Sequence, residues 1–152
     1  MKTAQEVLWQ KSAVNNFIEP DALVIDALNR LNEVDLSYLI VKTEEKVLGI
    51  FSERDYARKV ALQGRSSTTT KVSDIMSVDL PKVQVTDSLE ACMNLIADRG
   101  RRYVLVMKGD KFEGVITIHD LLREVLIHGE RALDTRVTRI LIDINERPPR
   151  VY

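Results

Sequence analysis

Apolar residues in the first half of the chain follow two spacings, which predict alternating strands and helices. Residues 24–34 carry apolar side chains at every third or fourth position, which predicts one buried face of a helix. Residues 38–41 and 47–51 are short apolar runs rich in strand formers, separated by a polar turn. We also expect a short strand within residues 14–18 and a helix from residue 52 to about residue 62. The predicted order is therefore strand, helix, strand, strand, helix.

The same order of elements is predicted again in the second half. The elements are a strand at 83–85, a helix capped by Thr86 or Asp87, strands at 103–107 and 112–116 around a hairpin turn, and a helix opened by Thr117. A short amphipathic helix within residues 1–13 precedes both copies, with Val7, Leu8 and Trp9 on its apolar side. We therefore expect an α/β (α+β) fold built from two βαββα repeats in tandem.

A doubled seven-residue stretch ends the last strand of each copy. It reads Gly49-Ile50-Phe51-Ser52-Glu53-Arg54-Asp55 and then Gly114-Val115-Ile116-Thr117-Ile118-His119-Asp120, an offset of 114 − 49 = 65 residues. The same offset aligns further identities at predicted core positions and turns, which indicates an internal repeat. These identities include Asn29/Asn94, Tyr38/Tyr103, Val41/Val106, Lys46/Lys111, Arg58/Arg123, Val60/Val125 and Gly64/Gly129.

The offset of 65 residues also predicts how the chain is divided. Residues 1–70 are expected to form the first repeat with its N-terminal helix and connector, residues 71–128 the second repeat, and residues 129–152 a C-terminal extension. The extension begins as another copy of the connector at 63–76. We therefore expect residues 133–144 to be ordered and to pack on the protein or on a partner, either as a short helix or as an added strand.

Two βαββα units with the pattern G-h-h-S/T-x-x-D (h, apolar) at the last strand-to-helix turn resemble the CBS domain, and the tandem pair resembles a Bateman module. The stretch Val72-Ser73-Asp74-Ile75-Met76 between the repeats adds to the resemblance, which is to small stand-alone bacterial CBS-pair proteins. The resemblance implies two repeats packed about a pseudo-twofold axis, with adenine nucleotides bound in clefts between them. It implies AMP, ADP, ATP, NAD(H) or S-adenosylmethionine as the ligand, and a homodimer as the assembly.

Ser52, Asp55, Thr117 and Asp120 are the polar residues of the doubled pattern. An aspartate one helical turn after a strand can accept hydrogen bonds from both hydroxyls of a ribose, and such charge-assisted bonds contribute roughly 1.5–3 kcal/mol each. The neighbouring hydroxyl can hold the ribose edge or a phosphate oxygen at the start of the helix. The same S/T-x-x-D spacing is also a helix-capping arrangement. Its occurrence in both repeats, together with the resemblance, favours ribose binding, and the two roles can coexist.

Cationic and aromatic residues next to this pattern are candidates for the rest of a nucleotide. Arg54 follows Ser52, and Arg101 and Arg102 directly precede the strand that starts at Tyr103. Guanidinium groups suit phosphate because of their bidentate geometry, although each arginine could instead lie on a solvated surface. His119 replaces Arg54 in the second copy, so we expect two unequal sites. Tyr103 either stacks on a base or belongs to the core.

Charge and cysteine content restrict the range of functions. The formal net charge is −1, so we expect neither nucleic-acid binding nor attachment to an anionic membrane. Cys92 is the single cysteine, which excludes an intrachain disulfide and fits a reducing compartment. The N-terminus lacks a signal-peptide pattern, and no run approaches the roughly 18–20 apolar residues of a membrane span. We therefore expect a cytoplasmic protein.

Motifs of catalysis are not visible in the sequence. We find no Gly-rich phosphate loop, paired catalytic carboxylates, metal-ligand cluster or nucleophile–base pair, so we expect no enzyme, no catalytic cofactor and no metal. The prediction is a regulatory or sensor module that binds an adenine nucleotide and is read by an unidentified protein partner. The alternative is a non-catalytic interaction or scaffold module without bound nucleotide.

Overall fold

Two hydrophobic cores divide the chain into two units. The computed structural model of the protein describes residues 2–44, 46–128 and 135–146. One unit consists of Ala13–Asp79, and we call it the first-repeat unit. The other combines the residues up to Ser12 with those from Leu80 onward, and we call it the second-repeat unit. Each unit therefore has a hydrophobic core of its own.

Helices and strands alternate in the predicted order in both units. In chain order the elements are α1 Ala4–Trp9, β1 Phe17–Ile18, α2 Val24–Val34, β2 Tyr38–Lys42, β3 Val47–Ser52, α3 Glu53–Asp55, which continues as a π-helical segment over Tyr56–Ala61, α4 Val72–Ile75, β4 Lys82–Gln84, α5 Leu89–Arg99, β5 Tyr103–Lys108, β6 Lys111–Thr117, α6 Ile118–His128 and α7 Thr135–Glu146. None of the helices within the described ranges is long and apolar enough to cross a membrane.

Each unit contains one three-stranded sheet with the same topology. The strand order is β1-β2-β3 in the first-repeat unit and β4-β5-β6 in the second-repeat unit. In both sheets the first pair of strands is parallel and the second pair is an antiparallel hairpin. A helix crosses between the two parallel strands of each sheet, as parallel pairing requires. The predicted pair of βαββα repeats is therefore confirmed.

The helices of each unit cover one face of its sheet with apolar side chains. In the first-repeat unit, α2 contributes Val24, Ala27 and Leu31, all of which are buried, as the helical spacing predicts. The first-repeat core is formed by Val24, Ala27, Leu31, Leu39, Val41, Phe51, Val60, Val72 and Ile75. The second-repeat core is formed by Ala4, Val7, Val83, Val85, Leu89, Cys92, Met93, Ile96, Val104, Val106, Ile116, Ile118, Leu121 and Leu141.

The observed division differs from the predicted one in two segments. Helix α1 belongs to the second-repeat unit, because the backbone N–H groups of Ala4 and Gln5 donate to the carbonyls of Asp87 and Val85 at 2.8 and 3.1 Å. Trp9 of this helix is 72% exposed, so its predicted place on the apolar side is wrong. Residues 71–79 belong to the first-repeat unit, where the short helix α4 contributes to the core.

Two local predictions are corrected by the hydrogen bonds of the backbone. The cap of α5 is Ser88, whose hydroxyl accepts a hydrogen bond from the N–H of Ala91, and not Thr86 or Asp87. The Asp87 carboxylate instead accepts from the N–H of Gln84 at 2.7 Å and closes the turn before the helix. The helix predicted from residue 52 to about residue 62 changes to π-helical geometry after one turn.

The C-terminal extension is a helix where it is described. Leu141 of α7 is fully buried and joins the second-repeat core, while Ile144 packs against its edge. This confirms that residues 135–144 of the predicted segment pack on the protein, and it selects the helix over the added strand. Residues 133–134 of the predicted segment, and the prolines at 148 and 149, lie outside the described residues.

Candidate functional site

The doubled pattern forms a corner at the end of the hairpin in each unit. Strand pairing places Tyr38 opposite Ser52 in the first-repeat unit and Tyr103 opposite Thr117 in the second. The first helical residue after each pattern strand donates its N–H to the carbonyl of the residue before the tyrosine. Glu53 donates to Ser37 at 3.1 Å, and Ile118 donates to Arg102 at 2.9 Å. The two corners therefore have the same backbone construction.

Asp55 accepts three hydrogen bonds from the protein and forms one ion pair. Its Oδ2 accepts from the N–H and the hydroxyl of Ser52, both at 3.0 Å. Its Oδ1 accepts from the hydroxyl of Ser77 at 2.9 Å and forms an ion pair with Nζ of Lys59 at 2.9 Å. The N–H of Asp55 in turn donates to Oγ of Ser52 at 3.2 Å. We call Ser52, Asp55, Lys59 and Ser77 the Asp55 corner.

Asp120 has fewer donors, and they all contact one oxygen. Its Oδ2 accepts from the N–H of Thr117 at 2.8 Å and from Nζ of Lys11 at 2.7 Å. The N–H of Asp120 donates to Oγ1 of Thr117 at 3.2 Å. Among the described residues, Oδ1 of Asp120 accepts no hydrogen bond and the Thr117 hydroxyl donates none. We call Lys11, Thr117 and Asp120 the Asp120 corner.

All four residues of the S/T-x-x-D pattern are buried. Ser52 and Thr117 are each 6% exposed, Asp55 is 7% exposed and Asp120 is 8% exposed. The capping role is confirmed in both units. The hydroxyl of Ser52 or Thr117 accepts from the N–H of the aspartate three residues later, and the carboxylate of that aspartate accepts from the N–H of Ser52 or Thr117. The ribose-binding role stays a prediction, and a carboxylate that caps a helix can take it only where a lone pair remains for the ligand.

The two glycines of the pattern provide space for neighbouring segments of the same unit. A Cβ at Gly49 would lie 2.5 Å from the carbonyl oxygen of Ser77, and a Cβ at Gly114 would lie 2.9 Å from Cδ2 of Leu8. Ser77 pairs with Ile50 through two backbone hydrogen bonds of 2.8 and 2.9 Å. In the first-repeat unit, residues 76–77 therefore pack against the glycine of the pattern. In the second-repeat unit, helix α1 packs against it instead.

The cations of the two corners come from different parts of the chain. Lys59 lies one helical turn after Asp55, but the residue 65 positions later is Glu124, which is only 3% exposed. Glu124 is neutralised by Lys2, with an Nζ–Oε2 distance of 2.6 Å, and Nε2 of His128 lies 3.3 Å from the same oxygen. The N-terminal segment thus supplies a lysine to each buried carboxylate of α6.

The predicted phosphate partners lie near the corners but differ in their surroundings. Arg54 is half-buried on the first turn of α3, whereas its counterpart His119 is exposed on α6. Arg101 and Tyr103 are half-buried beside the start of β5. Nη2 of Arg102 donates to the carbonyls of Ile144 and Asn145 at 2.7 and 2.9 Å, so this arginine stabilises the C-terminal end of α7. Phosphate binding by these residues stays a prediction.

Three residues of the corners were not predicted from the sequence. A local spacing could have indicated Lys59, because an acid and a lysine four residues apart on a helix form ion pairs. The repeat gives a weaker indication of Ser77, since the residue 65 positions earlier, Ser12, is also a serine. No sequence pattern indicates Lys11, because its contact with Asp120 spans 109 residues. Within the described ranges, no group of three or more His, Cys, Asp or Glu side chains could hold a metal ion.

Known proteins resemble this chain in both sequence and fold. The family model of the CBS domain matches residues 14–62 and 72–127. The CBS domain-containing protein CBSX3, mitochondrial, of Arabidopsis thaliana is 34% identical over 116 residues, which are 73% of this chain and 56% of that protein. The chain spans about half the length of the first curated relatives it matches.

Solved structures extend the resemblance to the fold. A protein with CBS domains from Burkholderia ambifaria is 32% identical and has a TM-score of 0.76, with 85% of this chain and 97% of that chain covered. The hexameric CBS-CP12 protein from bloom-forming cyanobacteria is 25% identical and has a TM-score of 0.68, with 99% of this chain and 78% of that chain covered. Both similarities agree with two repeats of the observed topology.

Proposed function

The chain belongs to the CBS domain family as a tandem pair of CBS domains, and we propose that it is a regulatory module that binds an adenine nucleotide. CBS domains are regulatory modules that generally bind nucleotides, and their stand-alone members are generally not catalytic. The observation that carries the proposal is the doubled corner. Twice, at the same strand-to-helix turn, a hydroxyl residue lies beside a buried aspartate.

The corner chemistry suits the ribose of a nucleotide. A carboxylate with an available oxygen accepts hydrogen bonds from the ribose hydroxyls, and the adjacent start of a helix favours a phosphate group through its dipole. We propose Arg54, Arg101, Arg102 and His119 as partners of the phosphates, and Tyr103 as a contact of the base or ribose. Candidate ligands are AMP, ADP, ATP, NAD(H) and S-adenosylmethionine, which all contain adenosine.

A thermal-shift screen tests this proposal directly. Each of the five candidates is added to the protein, with the matching guanine nucleotides as controls, and binding is then measured by calorimetry. A ligand at 100 times its Kd stabilises the folded state by about 2.7 kcal/mol, which is a shift of several degrees for a chain of this size. The proposal predicts such a shift for adenine ligands. If none of them raises the melting temperature or binds in calorimetry, the chain is instead an interaction or scaffold module without nucleotide.

We propose further that the protein acts as a homodimer that an unidentified protein partner recognises. Large apolar side chains are exposed near the ends of the helical segments that follow the corners: Leu62 is 78% exposed, Leu126 is 84% exposed and Ile127 is 63% exposed. Leu126 and Ile127 are adjacent in sequence, and neighbouring exposed apolar side chains of this kind support an association surface on α6. Light scattering after size-exclusion chromatography should give twice the chain mass, and Leu126→Lys should reduce it. A wild-type monomer at micromolar concentration would refute the dimer.

A further inference from the structure

We propose that the two corners are unequal as nucleotide sites: the Asp120 corner is open to a ribose, whereas the hydroxyl of Ser77 closes the Asp55 corner from within the protein. This inference rests on the proposed nucleotide binding and specifies where it takes place. It makes Ser77 a specificity-determining residue of the first repeat. It also predicts one nucleotide per chain in the wild-type protein.

The Asp55 carboxylate keeps little hydrogen-bonding capacity for a ligand. An ionised carboxylate offers about four lone-pair sites, and Asp55 uses three of them for the N–H of Ser52, the hydroxyl of Ser52 and the hydroxyl of Ser77. The ammonium of Lys59 forms an ion pair with Oδ1 at 2.9 Å, so Oδ1 is contacted by Ser77 and Lys59 together. A ribose that binds there would have to compete with these two residues for Oδ1.

The Asp120 corner keeps one acceptor and one donor for a ligand. Its two protein donors both contact Oδ2, so Oδ1 retains its lone pairs with respect to the described residues. The Thr117 hydroxyl accepts from the N–H of Asp120, and its own proton has no acceptor among those residues. A ribose hydroxyl both donates and accepts. It can therefore donate to Oδ1 of Asp120 while a neighbouring ribose oxygen accepts from Thr117.

The backbone of Ser77 is held beside strand β3, because its N–H and carbonyl both bond to Ile50. Its carbonyl oxygen also fills the space that a side chain on Gly49 would need, at 2.5 Å from the Cβ position. The Cα of Ser77 therefore stays beside Asp55, and the hydroxyl can leave Oδ1 only by rotation about χ1, which breaks its 2.9 Å hydrogen bond. Lys59, whose side chain is 42% exposed, also donates to the carbonyl of Ile75 at 3.0 Å.

Lys11 does not close the Asp120 corner in the same way. Its ammonium bridges Oδ2 of Asp120 and the carbonyl oxygen of Val115, at 2.7 and 2.8 Å. It therefore contacts the oxygen that already caps the helix and leaves Oδ1 without a donor among the described residues. As a cation beside a carboxylate, it also lowers the negative charge that the phosphates of a nucleotide would meet.

Calorimetric stoichiometry in four variants tests the inference, with AMP, ADP, ATP, NAD⁺ and S-adenosylmethionine each used as probe. The variants are Asp55→Asn, Asp120→Asn, Ser77→Ala and Ser77→Ala combined with Asp55→Asn. Ser73→Ala is the matched control, because Ser73 is half-buried on the same short segment and its hydroxyl has no hydrogen bond among the described residues. Melting curves of all variants establish that each one is folded.

The expected result is one nucleotide per wild-type chain, unchanged in Asp55→Asn and weakened at least about tenfold in Asp120→Asn, because one charge-assisted hydrogen bond corresponds to about a decade or more in affinity. Ser77→Ala should gain a second binding event, and the added Asp55→Asn change should remove it. Ser73→Ala should bind like the wild type.

Three results would overturn the inference, and they separate its failure from that of the proposed function. If a nucleotide binds the wild type and is lost in Asp55→Asn but retained in Asp120→Asn, the assignment of the open corner is wrong while the proposed function stands. The same conclusion follows if Ser77→Ala keeps the wild-type stoichiometry. If no probe binds either the wild type or Ser77→Ala, the proposed function itself fails, and the inference fails with it.

Discussion

Asp55 and Asp120 lie in the first turn of the helix that follows the pattern strand in each unit. The donors around the two carboxylates, however, come from different parts of the chain. Asp55 is contacted by its own helix through Lys59 and by the segment after that helix through Ser77. Asp120 is contacted by Lys11, which reaches it from the N-terminal segment that precedes both repeats. The backbone of the corner is thus the same in both units, and the donors that surround it are not.

The seven-residue pattern therefore builds a corner without determining whether that corner is available to a ligand. Availability depends on residues outside the pattern, which have diverged between the repeats. Where the first repeat has Lys59, the second repeat has the buried Glu124. Helix α6 therefore carries two neighbouring buried carboxylates, Asp120 and Glu124, and no lysine between them. Because buried charges need partners, the N-terminal segment provides Lys2 and Lys11.

Substitution of the two pattern glycines should give the largest difference between the units. The methyl group of Gly49→Ala would meet the backbone carbonyl of Ser77, which cannot shift without losing its pairing with Ile50. We expect a loss of about 3 kcal/mol in the free energy of unfolding. Gly114→Ala meets only the flexible side chain of Leu8 and should cost about 1 kcal/mol or less. Urea unfolding of both variants measures this, and equal losses would show that the two close approaches are equivalent.

Removal of the lysines should separate the corners by a smaller amount. Lys11→Met leaves Asp120 buried without its cation, and we expect a loss of about 2 kcal/mol, below the roughly 3–5 kcal/mol of a fully buried pair because Lys11 is 24% exposed. Lys59→Met leaves Asp55 with three other donors and should cost less than about 1 kcal/mol. Lys108→Met, at an exposed position, is the control for loss of surface charge. A larger loss for Lys59→Met than for Lys11→Met would contradict this ranking.

The smallest effect concerns a core position where the repeats differ by one sulfur atom. Cys92 corresponds to Ala27, and both are fully buried. Burial, together with the nearby Asp87 carboxylate, raises the pKa of the Cys92 thiol from 9.0 to about 11. Between these values the unfolded chain loses the thiol proton first, so rising pH favours unfolding. Relative to Cys92→Ala, the wild type should lose about 1 kcal/mol of stability between pH 8 and pH 10.

Paired unfolding curves at both pH values isolate this contribution, because the other groups that titrate in this range are the same in the two proteins. A wild-type thiol that reacts rapidly with iodoacetamide at pH 8 would contradict the burial of Cys92. A pH dependence that is identical in Cys92→Ala would contradict the raised pKa.

The fold was largely predictable because its signals are local or repeated. The apolar spacing of residues 24–34 and the two strand runs after it indicated one repeat, and the 65-residue offset indicated the other. The hydroxyl–aspartate corner was predictable for the same reason, since Ser52 and Asp55 are only three residues apart. The offset also indicated that the C-terminal extension repeats the connector, which stays a prediction, while α7 shows that residues 135–146 form a helix that packs on the second-repeat core.

The remainder depended on contacts that no local pattern encodes. Helix α1 was expected to accompany the first repeat because it is adjacent in sequence, but its hydrogen bonds are with residues 85–89. No sequence pattern connects the lysines of the N-terminal segment with the carboxylates they pair with, which lie more than 100 residues away. Arg102 was predicted to be a phosphate partner, and only the placement of α7 shows its bonds to the end of that helix.

If Asp120 receives the ribose hydroxyls of an adenine ribonucleotide, removal of those hydroxyls from the ligand should weaken binding only while Asp120 is present. The measurement is the Kd of the tightest-binding adenine ribonucleotide and of its 2′,3′-dideoxy analogue, in the wild type, Asp55→Asn and Asp120→Asn. We expect loss of the hydroxyls to weaken binding at least about tenfold in the wild type and in Asp55→Asn, and to have little further effect in Asp120→Asn. Equal affinities of the two ligands for the wild type, or an undiminished loss in Asp120→Asn, would contradict the claim.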